Sequence, residues 1–95
     1  MMLGRVIGNV VSVIKDENYK GLKLLVVQEL DMEGSFKDKF VISADLIGVG
    51  IHEVVMVANG TPARATQETK NIGLDSIIVA KIEKLIFEGR EVDLQ

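Results

Sequence analysis

Cysteine and tryptophan are absent from this 95-residue chain. Proline and histidine occur once each, and only four residues are aromatic: Tyr19, Phe36, Phe40 and Phe87. Without cysteine there is no disulfide framework and no thiolate chemistry. With a single histidine, His52, a zinc site would have to rely on carboxylates, which is unusual. Positive charge is not in excess either. Eleven Lys and Arg stand against fourteen Asp and Glu, for a net charge of −3, and the two signs are mixed along the chain. That balance argues against a sequence-independent grip on nucleic acid. No apolar run reaches the roughly 18 residues of a membrane span. The N-terminal "MMLGRVIGNVV" is broken by Gly and Arg, unlike a cleavable signal sequence. The expectation is a cytosolic chain that meets neither nucleic acid nor membrane.

What is present is apolar and β-branched. Forty-five residues are apolar, and counting the nine glycines in and Tyr19 out gives 53 of the 95, about 56% against a usual 45–50%. A domain this small buries only about two-thirds of its unfolded surface. Residues 1–95 make one domain, and some of its apolar surface is expected to face another copy or a partner. Val and Ile supply 23 residues, a bias toward strands.

The pattern predicts strands over residues 6–14, 22–30, 39–44 and 53–59. Gly8 inside the first suggests a bulge or a close backbone approach. In the third, Phe40, Ile42 and Ala44 share a face. "DMEGS" (residues 31–35) signals a turn. Thr61 as a helix cap and Pro62 at the first helical position predict a short helix over residues 62–67. Residues 74–89 carry both a helical stripe and a strand alternation; the Ile77-Ile78-Val79 run favours strand, and Glu88-Gly89 reads as a hairpin turn. The expected architecture is all-β: a small five-stranded barrel with one short helix, closed to protect its strand edges.

The stretch "GVGIHEVVMVANGTPAR" (residues 48–64) concentrates the candidates for chemistry. Gly48-Val49-Gly50 begins like a dinucleotide fingerprint, but Glu53 holds the place of the third glycine and a strand follows. A tight turn, or backbones approaching closely around a symmetry axis, accounts for the two glycines as well. His52-Glu53 begins like a zinc-protease helix, but Met56 stands where the second histidine belongs. No catalytic, cofactor-binding or metal-ligating set emerges. Arg64 lies in the first turn of the predicted helix, where the helix dipole disfavours a cation. It either has an acidic or carbonyl partner, or lays its stem over apolar surface with its head in water. Lys15, Lys20 and Lys23 surround a loop that also holds Asp16 and Glu17, with only Tyr19 near enough to stack a base.

Taken in order, "LGRVIGNVVSVIK", "GLKLLVVQELD", "SADLIGVGIHEVVMVANGTPAR" and "LDSIIVAKIEKL" resemble the EutN/CcmL family of bacterial microcompartment vertex proteins over nearly the full length. The resemblance implies an oligonucleotide-binding-like (OB-like) barrel that assembles as a homopentamer, without cofactor or catalysis. Such a ring caps the vertices of a polyhedral shell in the cytoplasm, among hexameric shell proteins, around metabolic enzymes. It implies assembly roles for the candidate residues. Glu53, Gly60, Thr61, Ala63 and Arg64 are expected at the subunit boundary, and Gly48, Val49 and Gly50 near the five-fold axis. The chain departs from the family pattern at His52, where a small residue is common, and at Lys81, where glycine is frequent. A single-stranded nucleic-acid-binding barrel is the alternative on the same fold.

Overall fold

The structure, a computed structural model, describes residues 1–11, 21–59 and 76–94. The predicted helix over 62–67 and the candidate residues Gly60, Thr61, Ala63 and Arg64 lie outside them. The described residues form seven strands: β1 (Met2–Asn9), β2 (Lys23–Leu30), β3 (Phe36–Asp45), β4 (Val54–Asn59), β5 (Ser76–Lys81), β6 (Ile86–Phe87) and β7 (Arg90–Glu91). The first five close into a barrel in the order β1-β2-β3-β5-β4, with β4 returning to β1. All ladders are antiparallel except β3–β5, which is parallel and short, pairing Ala44 with Ile77 and Asp45 with Ile78. This is the closed five-stranded arrangement expected of an OB-like barrel.

Period-two alternation explains the core. Val6 of β1, Leu25 and Val27 of β2, Val55 and Val57 of β4 and Ile78 of β5 point inward with Met2 and Val49. Gly8 lies at a bulge: the β1–β2 register slips between Val6 and Gly8, leaving Ile7 as the extra residue. The first strand begins at Met2, earlier than predicted, because residues 2–5 pair with β4 as well as β2. The third begins at Phe36, because Leu30 pairs with Phe36 beyond the Asp31 turn. In that turn the Asp31 carboxylate accepts from the amides of Glu33 and Ser35 at 2.9 and 3.0 Å.

Of the ambiguous stretch 74–89, the described residues from Ser76 onward form strand β5, followed by a break in which Ile82 and Leu85 leave the barrel wall. They join Leu94 against the outward side chains Leu3 and Val54 and against Leu30, forming a second, smaller core outside the barrel. The Glu88-Gly89 turn joins β6 to β7 with both residues at positive φ, 53° and 77°, the left-handed pair that two-residue hairpins favour.

Candidate functional site

Asp45 ends β3, and its carboxylate organises the loop that follows. Oδ1 accepts from the amides of Ile47 (3.1 Å) and Gly48 (2.9 Å), and Oδ2 from Val49 (2.9 Å). Three successive amides converging on one acceptor curl residues 46–49 around it. Gly48 stands at φ +82°, a conformation a β-carbon would strain. Lys23 completes the knot: its Nζ lies 3.4 Å from Oδ2 and donates to the Val49 carbonyl at 3.0 Å. The Asp45 side chain is fully buried. Burial pushes its carboxyl pKa up, but the Ile47, Val49 and Gly48 amides and Lys23 outweigh that and hold it below the ordinary aspartate value.

The curl drops Val49 into the barrel core, only 3% exposed. Gly50 then donates its amide to Glu53 Oε1 at 2.6 Å, and Glu53 Oε2 meets Lys81 Nζ at 2.6 Å. The Lys81 contact, helped by the Gly50 amide, holds the Glu53 carboxyl below the usual range; Glu53 in turn holds Lys81 above its own. Lys81, a departure from the family pattern, therefore has a local purpose. His52, the other departure, adopts φ 71°, uncommon for a residue other than glycine. Hydrogen bonds on both sides hold it there. Its amide donates to Val6 O at 2.7 Å, and its carbonyl accepts from Arg5 Nη1 at 2.6 Å. The other Arg5 nitrogen donates to the Leu94 carbonyl.

Of the candidate residues, Gly48, Val49, Gly50 and Glu53 are thus brought into one loop at one end of the barrel. The loop is a rigid corner whose polar atoms bond to one another. Among the described residues no three His, Asp or Glu side chains converge to hold a metal. Sequence reasoning noticed Lys23 only as a loop cation and Asp45 only as a carboxylate near His52, and paired neither with this loop. The available signal was an Asp directly before "LIGVG", the spacing from which a carboxylate reaches the next amides.

The outer barrel face is the other notable surface. Phe40, Ile42 and Ala44 do share a face, the one turned away from the barrel interior, although Ala44 at its end is buried. Val41 packs inward, beside buried Ser43 and Asp45. Phe40 and Ile42 are each 51% exposed. Two exposed phenylalanines on β3 with lysines between them are what the nucleic-acid reading would look for. However, Lys37 and Lys39 alternate onto the opposite face from Phe36 and Phe40. Both reach Glu29, at 2.9 and 3.8 Å, and Lys37 leads in holding that carboxyl below its usual range.

Known proteins fit this description. Residues 1–83 match the family model described as ethanolamine utilisation protein EutN/carboxysome. The carboxysome shell vertex protein CcmL of Synechococcus elongatus is 34% identical over 92 residues, covering 97% of this chain and 93% of that protein. The structure of Gloeobacter violaceus CcmL superposes with a TM-score of 0.90 at 30% identity, over 96% of this chain and 94% of that one. The pentameric microcompartment shell protein GrpN from Rhodospirillum rubrum superposes at 0.81 with 34% identity, over 92% and 100%. The chain belongs to the EutN/CcmL family of microcompartment shell vertex proteins.

Proposed function

We propose that this protein is a structural component of a bacterial microcompartment shell, a homopentamer that caps the vertices of the polyhedron in the cytoplasm. The observation that carries the reading is the likeness to pentameric GrpN over that protein's entire length, in a family whose members are named shell vertex proteins. The physical counterpart is the number of large apolar side chains left in water, Phe36, Phe40, Ile42, Ile47, Ile51 and Ile86 among them. A lone soluble barrel gains nothing from them, whereas a ring has somewhere to put them. The role is architectural rather than enzymatic. Hexameric shell proteins are the proposed neighbours at the vertex.

Within the ring, Gly60, Thr61, Ala63, Arg64 and Glu53 are the proposed boundary between subunits, and Gly48, Val49 and Gly50 lie toward the five-fold axis. The Asp45 knot supports the second assignment by making that corner stiff and compact. With the Val49 side chain in the core, the two glycines leave backbone open between the exposed side chains of Ile47 and Ile51, which neighbouring chains can approach. Arg64 suits a bidentate contact with a neighbour's carbonyl or carboxylate.

Light scattering on the purified chain tests the reading. Five copies of a 10.4 kDa chain give a particle of about 52 kDa; a monomer at micromolar concentration overturns it. Arg64→Ala is expected to raise the dissociation midpoint of the ring by about tenfold or more, while Lys20→Ala leaves it unchanged. Equal effects remove the boundary role of Arg64.

A further inference from the structure

The C-terminal segment of the chain forms a strap over the outside of its own barrel. After β5, Ile82 and Leu85 turn away from the wall and, with Leu94, pack on Leu3, Leu30 and Val54. The Ile82 amide anchors the start of the strap on β4, donating to Val54 O at 2.8 Å. Further on, the Val92 amide donates to Leu85 O at 2.8 Å and closes the strap on itself. The family match ends at residue 83, so most of the strap lies beyond the pattern that defines the family.

One side chain touches both the strap and the corner at residues 48–53. Arg5 stands on the outward row of β1, two residues from Leu3. Its Nη1 donates to the His52 carbonyl at 2.6 Å, and its Nη2 to the Leu94 carbonyl. The guanidinium is a planar fork whose donors are fixed relative to one another, so engaging one carbonyl aims the group at the other. His52 is also the strained residue of the corner, at φ 71°, a conformation that surrounding contacts must impose. Its amide donates to Val6 O at 2.7 Å, and the Val6 amide donates to Glu53 O at 3.0 Å. Arg5 therefore adds a charge-assisted bond at the point where the corner is stitched to β1.

We infer that Arg5 is a positioning residue that couples the docking of the C-terminal strap to the order of the 50–53 corner. With Leu94 in place, Arg5 has already lost most of its rotamer freedom, and its bond to the His52 carbonyl forms at little further entropic cost. With the strap lifted, the same bond must order the whole side chain by itself. Linkage makes the relation reciprocal: whatever steadies the corner strengthens the strap by the same factor. The coupling runs within one chain, so it goes beyond the vertex reading and stands or falls apart from it.

Hydrogen exchange of the full-length chain tests this, followed by mass spectrometry on peptides spanning His52 and Val92, with a β2 peptide as the reference for global opening. Leu85→Ala loosens the strap. It is expected to speed exchange around His52 about fivefold relative to the reference. In an Arg5→Lys background, where charge is kept but the fork is gone, Leu85→Ala should still speed exchange around Val92 and leave the corner unchanged. A corner that ignores Leu85→Ala in the parent overturns the inference. So does an equal response in both backgrounds, which would route the coupling through packing instead of Arg5. If Leu85→Ala does not fold, the reciprocal arm decides. Glu53→Gln frees the corner from Lys81 and is expected to speed exchange around Val92 in the parent but not in Arg5→Lys; an unchanged Val92 peptide in the parent, or the same change in both, overturns the coupling.

Discussion

At the scale of single residues, the most consequential side chain is one whose chemistry is entirely internal. Asp45 replaces the water it loses with three amide donors and a lysine, so its charge is worth more folded than unfolded. The sign follows from its depressed carboxyl pKa. The stabilisation is complete at neutral pH and persists until the pH falls below the ordinary aspartate range, then fades as the folded-state carboxyl is protonated. Asp45→Asn is expected to destabilise the protein by about 2 kcal/mol at pH 7. The deficit relative to the parent should shrink as the pH is taken to about 2.5. Chemical denaturation of both proteins at the two pH values checks this. An unchanged deficit in acid would mean that the amide bonds depend on shape and not on charge. Lys23, half exposed, is the weaker member, and its loss is expected to cost less.

At the scale of elements, the turn between β2 and β3 shows how a local conformation is tied to distant packing. Gly34 stands at φ +85°, and a β-carbon on it would come within 2.7 Å of the Asp93 carbonyl. The turn therefore needs glycine twice over, for its own backbone and for the close passage of the C-terminal segment that covers Leu3, Leu30 and Val54. Gly34→Ala is expected to cost about 2–3 kcal/mol and to loosen residues 82–94 together with the turn. Amide hydrogen exchange checks the coupling: faster exchange confined to residues 31–35 would show the C-terminal cover to be independent. Much at this scale was legible in the sequence, because alternation and β-branching are local properties. Strands β2 and β4, the Asp31 turn, the Gly8 bulge and the Glu88-Gly89 hairpin all announce themselves within a few residues. The facing of β3 does not. Phe40, Val41 and Ile42 are all apolar, so alternation cannot say which row points inward; pairing with β2 decides it, placing Val41 opposite core residue Val27. The Asp45 knot is likewise only half local, since its lysine comes from a strand 22 positions earlier. The satellite core needs Leu3 and Leu94 to meet across almost the whole chain, which no window of sequence displays.

At the scale of the whole molecule, the described residues leave many large apolar side chains in water, Phe36, Phe40, Ile42 and Ile86 each more than half exposed. The apolar composition points the same way. If part of the chain's stability is supplied only when neighbours cover such side chains, unfolding of the ring to separate chains is a reaction of changing molecularity, and its midpoint depends on protein concentration. The melting temperature is therefore expected to rise by several degrees over about a 100-fold increase in concentration. Differential scanning fluorimetry on a dilution series, with light scattering on the same samples, measures both halves of the relation. Variants that keep the barrel but lose the ring should melt lower and at a temperature independent of concentration. A parent protein whose melting temperature is flat across the series while its mass stays at five copies would place the stabilising contacts inside each barrel, with assembly adding little to folding.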